Sequence, residues 1–575
     1  MGRAAMMQYG SGRRKTQQVQ FGGYNHSAGS SEGQIWDERN MSSLAYPFLR
    51  PRRNRPDSGI DCTNAIFAHN ALGWVDGIGL WYDGHLVGYV EDSQKQIAVM
   101  GNRIVIWPDK AVLNATYKRL GVYASLTALK NAVKTPKEND AYGVGSDVPY
   151  EIYVYNGSEW VSNGKELQPM EASASFSKAK FMSGTYREVP ADANTMELPS
   201  TAEGLGFKVG DAVTIRGCTK HPENNKTAII REIEGEQLRF YENAFVLDGE
   251  DGLTDYEETG TITISREVPE MDVICAANNR LWGAKDDTIY ASALGDPTNF
   301  HVFDGLTTDS WFQTTGQAGR FTGCTMYLGY PMFFKENLIC KIYGSNAENF
   351  QTSLSATMGV KEGASRSMAI AGEVLYYLSA NGLVAYTGGL PESIAAPFGD
   401  IRYTDCVTGT DGRRLYLSME RATGGHEFFC LDTENGLLRK EDGAQVRMWA
   451  NYRGTLHGME DSGASVYNAD ASELGCPESM VEFGDIMEQT MDRKSTGRLQ
   501  MRLSVAEGAE LRVSVQYDSD GVWRPVKTFR TTKKMSFSYP VKLRRCDHYR
   551  IRIEATGYWE LQAMARDYAV GSGVH

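Results

Sequence analysis

The stretch NRLWGAKDDTIYASALGDPTNF, residues 279–300, decides how this chain is read. Apolar residues around Leu281 and Trp282 predict one strand, and Asp286 and Asp287 predict a turn. Ile289 and Tyr290 predict the returning strand, which Gly295-Asp296-Pro297 ends. Comparable units follow at Met332-Phe333-Phe334, Val374 to Leu378, Leu415 to Leu417 and Leu456-His457. Anchored on Trp282, Phe334, Tyr377, Leu417 and His457, the steps are 52, 43, 40 and 40 residues. Repeats of roughly 40–50 residues made of short strands are the pattern of β-propeller blades. A propeller is a scaffold and implies no chemistry by itself.

Outward from this repeat, the expected fold is mainly all-β: a propeller interrupted by two small inserted modules and followed by a β-sandwich. Residues 1–59 form an N-terminal arm, of which the polar, Gly- and Ser-rich 1–30 would order only against a partner. Residues 60–115 read as a first propeller segment, with Asp83-Gly84 as a hairpin turn. Residues 116–178 read as an inserted module. It has a short helical pattern at Leu126, Leu129 and Val133, then the hairpin YEIYVYNGSEWV (150–161) turning at Asn156-Gly157. Residues 179–268 read as a small barrel, from FKVGDAVTI (207–215), AIIREIEGEQLRF (228–240) and Thr261 to Ile264, with an exposed loop at 221–226. The propeller resumes over 269–475. In 476–575, Leu499, Met501, Leu503 and Val505, then Leu511, Val513, Val515 and Tyr517, then Tyr549, Ile551 and Ile553, alternate with polar residues as half-buried strands do.

At 575 residues the chain exceeds what one core supports, so three to five compact units are expected. Its 41% hydrophobic and 23% charged content is that of a folded protein, and 60 glycines with 30 tyrosines favour turns and strands. No apolar run reaches the roughly eighteen residues of a membrane span. The start lacks the apolar core of a secretory signal, and Met6 stands where a myristoylation site needs Ser or Thr. These features predict a soluble protein assembled where it is made. Nine scattered cysteines without CxxC spacing predict reduced, buried thiols. The net charge of −13 is uneven: residues 1–60 carry a balance of +5, and residues 179–268 one of −8.

No catalytic constellation emerges, and no metal or cofactor is expected. The nine histidines are dispersed, with no HExxH, and no G-x-S-x-G elbow occurs. Gly164-Lys165 is followed by Glu166 where a phosphate loop needs Ser or Thr, and it follows a hairpin. Asp286-Asp287 reads as turn chemistry before it reads as a glycosidase pair. Two basic groups stand out: Arg50, Arg52, Arg53 and Arg55, and Lys542, Arg544, Arg545, Arg550 and Arg552. Phosphate contact is one reading, and ion pairing with an acidic neighbouring subunit or domain the favoured one. Tyr150, Tyr153, Tyr155 and Trp160 read first as the core of the inserted module and second as a sugar-stacking platform.

Several segments together resemble virion proteins of tailed bacteriophages. They are GGYNHSAGSSEGQIWDERNMSSLAYPFLRPRRNR (22–55), the 279–300 block, GCTMYLGYPMFFKENLICKIYG (323–344) and PVKLRRCDHYRIRIEATG (540–557). The group resembled is the tail-nozzle and packaged-DNA-stabilisation proteins. The resemblance implies a non-enzymatic component of the tail or head–tail junction, assembled in the host cytoplasm as a ring, a hexamer. It would contact portal, adaptor or other tail proteins, with tail fibres as further partners. The genome would pass through the lumen without specific binding, repelled by an acidic ring, since duplex DNA carries about one negative charge per 1.7 Å. The two basic groups would then be assembly contacts. The alternative is a receptor-binding protein whose inserted modules hold surface glycans through Tyr150, Tyr153, Tyr155 and Trp160. A third reading, a polysaccharide-degrading enzyme, rests only on the abundance of carboxylates.

Overall fold

The repeat anchors fall on equivalent strands. In the computed structural model, which describes residues 13–570 apart from 31, 187–188, 203, 242–243, 251, 253 and 542–543, each anchor lies on the second strand of a four-stranded antiparallel sheet. Trp282 lies on Arg280–Lys285, Phe334 on Tyr330–Lys335, Tyr377 on Val374–Ser379, Leu417 on Arg414–Arg421 and His457 on Thr455–Glu460. All five side chains are buried, because the second strand of such a sheet is covered on both faces. The chain is almost entirely β and divides into two compact units, Met1–Ala68 with Arg366–His575, and His69–Ser365.

The first unit holds three of the four-stranded sheets and one large sheet. The first strands of successive small sheets, Ala369–Ala371, Tyr403–Thr410 and Met448–Tyr452, lie against one another. The large sheet has seven strands. Its strands form one hydrogen-bonded network around a single core. Lys494–Tyr517 runs through it as a single 24-residue strand with a register shift between Val505 and Glu510, and both of its alternating halves enter one core. The arm, from Arg13 on, belongs to it as well: Arg13–Gln18 pairs with Trp559–Val570, and Ile35–Arg39 pairs with Ser479–Phe483. Phe21, Ile35, Met41 and Leu49 enter the same core as Leu511, Ile553 and Trp559.

The second unit holds the sheets of Val273–Ala291 with Trp311–Thr314, of Gly323–Ala356, and of Gln96–Asn114 with Leu167–Pro169. Here too the first strands of neighbouring sheets pack together, Gln96–Met100 on Val273–Ala277 and Val273–Ala277 on Gly323–Tyr327. The turn aspartates serve this scaffold: Asp287 binds Lys335, Thr315 and the Gly316 amide, and Asp286 takes the left-handed turn position. The expected small barrel is present as six strands closed on themselves, from Ala172–Tyr186 to Tyr256–Arg266. Its 221–226 loop is less exposed than its composition suggests. Asn224 is buried and holds Tyr256 Oη at 2.7 Å and the Val246 carbonyl at 2.9 Å.

None of the nine cysteines is in a disulfide. Among the described residues no helix is long and apolar enough to cross a membrane, and no cluster of His, Cys, Asp and Glu has the spacing of a metal site.

Candidate functional site

The module between Arg119 and Lys165 is a four-stranded sheet in chain order: Arg119–Tyr123, Ala141–Val144, Glu151–Tyr155 and Trp160–Lys165. The first pair is parallel, and the crossover is the helix Leu126–Ala132. Ser125 caps that helix by accepting from the Ala128 amide at 3.2 Å, and Leu129 anchors it. Period-two alternation then sorts the side chains. Ala141, Ile152 and Val154 point into the module's small core. Tyr142, Tyr153, Tyr155 and Trp160 take the other face and are half-exposed.

On that face the rings form a continuous line. Tyr123 meets Tyr142 at 5.5 Å, Tyr142 meets Trp160 edge-on at 5.7 Å, and Trp160 meets Tyr155 at 5.4 Å. The Tyr142 ring lies over Gly121, where an added Cβ would make an ordinary 3.6 Å contact with it. Burial, then the Asp140 carboxylate and Tyr123, push the Tyr142 phenol above its ordinary value, so it stays a neutral hydroxyl. The site residues are therefore sorted differently from the expectation that all four are core. Tyr153, Tyr155 and Trp160 are on the open face. Tyr150 is on the inner side, against Gly143 and under the Arg119 guanidinium at 5.1 Å. Tyr123 and Tyr142 were missed. Their signal was the alternation of Ala141-Tyr142-Gly143-Val144, hidden because two of its four residues are small. The Asn156-Gly157 turn also differs from a two-residue type I′ turn. Only Gly157 has positive φ, and Asn156 Oδ1 accepts from the Ser158 and Glu159 amides at 2.9 and 2.8 Å.

The Glu166 position is structural. Its carboxylate pairs with Arg119 below the sheet, both side chains about nine-tenths buried, and burial outweighs Arg119 in pushing its pKa up to about 7. A carboxyl raised from 4.5 in the unfolded chain to about 7 in the folded one stabilises fully below 4.5 and loses that contribution as pH rises through 7. The module should be about 2–3 kcal/mol less protected at pH 8 than at pH 4.5. Hydrogen exchange over 141–165 checks this: Glu166→Gln should remove the pH-dependent part, and equal slopes in both proteins would refute it.

The basic groups are mostly paired within the chain. Arg50 pairs with Asp470 at 2.7 Å, and Arg52 and Arg55 both pair with Glu441 and Asp442. Arg53 donates to the Leu474 carbonyl and covers Tyr558 at 4.4 Å. Arg550 binds Glu482 and Asp485, and Arg552 binds Glu482. Arg544 is exposed, 3.7 Å from Asp518, and Arg545 has interactions of its own. Lys542 lies outside the described residues.

No protein-family model matches this chain, and no curated protein matches it. Among solved structures it is similar to an exo-β-1,3-galactanase from Phanerochaete chrysosporium with galactose, at 9% identity and a TM-score of 0.20, over 56% of this chain and 98% of that one. A variant of the same enzyme with β-1,3-galactotriose aligns at 10% identity and 0.19, over 51% and 94%. At these scores the likeness carries no argument about activity. The expectation of a non-enzymatic phage conduit is left without support: no virion-protein family model and no curated virion protein matches, and the solved structures named here are of a carbohydrate-active hydrolase.

Proposed function

We propose that this chain is a carbohydrate-binding protein, with the face of the Arg119–Lys165 sheet as its sugar-stacking platform. The observation that carries this is the line Tyr123–Tyr142–Trp160–Tyr155, held outward by a sheet whose core is complete without it. The apolar face of a pyranose ring stacks on such rings, and their phenol hydroxyls can bond its hydroxyls. The four rings of the line are themselves uncharged, which favours neutral glycans, with Glu151 on the same face held by Ser162. We infer also that the four-stranded sheets of each unit are consecutive propeller blades, since their first strands pack together and their long connections carry the module and the barrel.

A glycan array probed with the whole chain, followed by calorimetric titration of each hit, tests the proposal. Trp160→Ala should weaken a neutral-glycan hit at least tenfold, about 1.4 kcal/mol, while the far-ultraviolet circular dichroism is unchanged. An array without neutral hits, or hits indifferent to Trp160→Ala and Tyr155→Ala, would overturn it.

A further inference from the structure

We propose that a separate cleft in the first unit binds a carboxylated sugar, with Arg402 and Arg421 as the carboxylate's partners. The cleft, about 680 Å³, is walled by His26, Ser27, Trp36, Asp400, Arg402 and Arg421. Its shape is fixed from the backbone up. The His26 amide donates to the Pro397 carbonyl at 2.8 Å, and the Ala422 amide to the Arg402 carbonyl at 2.9 Å. Gly399 has a φ of +60°, and a Cβ there would stand 2.6 Å from the His26 carbonyl, so the loop closes only on glycine. His26 packs on Trp36 with ring centres 4.2 Å apart, and its Nδ1 holds the Trp36 carbonyl at 3.0 Å, leaving Nε2 free for the cleft.

Two guanidiniums are left over by this arrangement. Arg402 has no carboxylate within ion-pair distance among the described residues, and its one hydrogen bond is a long contact, 3.4 Å, to the Gly399 carbonyl. Arg421 pairs with Glu427 at 3.6 Å, sharing that carboxylate with Tyr403 Oη at 2.6 Å and Lys440 Nζ at 3.0 Å, so its charge is only partly matched. The Arg421 Nε is buried with no acceptor. A buried donor without a partner costs stability, and an incoming oxyanion would supply the partner. Paired guanidiniums suit the two oxygens of a carboxylate. Asp400, free at the rim, and the Thr423 hydroxyl are acceptors for sugar hydroxyls, and Trp36 with His26 gives an apolar wall. A simple anion would fill only a fraction of the volume, so a sugar acid fits better than a small ion.

The test is calorimetric titration of the whole chain with D-glucuronate, D-glucose and inorganic phosphate. Glucuronate should bind at least tenfold more tightly than glucose or phosphate, and Arg402→Gln, at an exposed position, should remove that preference. Arg421→Gln should do the same, and Arg402→Gln decides the matter should that variant fail to fold. Trp160→Ala should leave glucuronate binding unchanged, which separates this site from the aromatic face. Phosphate binding as tightly as glucuronate, no glucuronate binding, or binding indifferent to Arg402→Gln would each overturn the proposal.

Discussion

Replacing Glu38 by alanine is expected to destabilise its unit by about 3–5 kcal/mol, the cost of leaving a buried charge without its partner. Glu38 and Arg439 are both fully buried, with Oε2 and Nη1 3.1 Å apart, and the Lys440 amide donates to the other carboxylate oxygen at 2.9 Å. Nothing else nearby can take over, since Arg439 Nε and Nη2 already lack acceptors. Burial pushes the Glu38 carboxyl up to about 7 against the pull of Arg439, so the pair is held at a desolvation cost. Removing both charges should therefore hurt less than removing one: Glu38→Leu with Arg439→Met is expected to recover most of the loss. Hydrogen exchange in Ile35–Arg39 and Leu437–Lys440 reads the effect where it arises. A loss below 1 kcal/mol for Glu38→Ala, or a double variant worse than the single, would refute the argument.

That pair marks the limit of what the residues alone reveal. The repeat of four-stranded sheets was legible because each second strand is an apolar run that any window detects, as with Leu281-Trp282 or Met332 to Phe334. The barrel and the short helix were legible for the same local reasons. The fate of the N-terminal segment was not, because Arg13–Gln18 has no apolar alternation and is a strand only through its partner 550 positions later. The continuity of the terminal strands was hidden for a similar reason. Alternation in 499–505 and 511–517 reports burial of one face but not whether two runs are one strand, and the bulge between them looks like a loop. At the aromatic face, the sequence named the right hairpin and assigned its outward rings to the core. Ile152 and Val154 suffice for so small a core, and that is a fact of packing volume that composition does not show.

Arg55→Ala should cost about as much as Glu38→Ala, about 3–5 kcal/mol, while Arg544→Glu should cost under about 1 kcal/mol. Both residues were read from the sequence as the same kind of exposed contact, and the structure separates them by burial. The Arg55 guanidinium is 2.7 Å from Glu441 and 2.9 Å from Asp442. It lies 4.0 Å from the Tyr467 ring centre and 4.6 Å from that of Phe428, so its planar faces are covered while both terminal nitrogens are bonded. Burial alone would raise the Asp442 carboxyl, yet Arg55 and Arg52 hold it below its ordinary value, which shows where the alanine variant would be penalised. Arg52 would then face two carboxylates alone. Arg55→Lys keeps the charge but neither the two-pronged geometry nor the stacking, so it should fall between wild type and alanine. Arg544, with a side chain 67% exposed and a 3.7 Å ion pair, has water as an alternative partner for everything it would lose. Chemical denaturation of the three variants should therefore rank Arg55→Ala, Arg55→Lys and Arg544→Glu in decreasing order of loss. An Arg544→Glu variant as damaged as Arg55→Ala would mean that the second basic group is structural too.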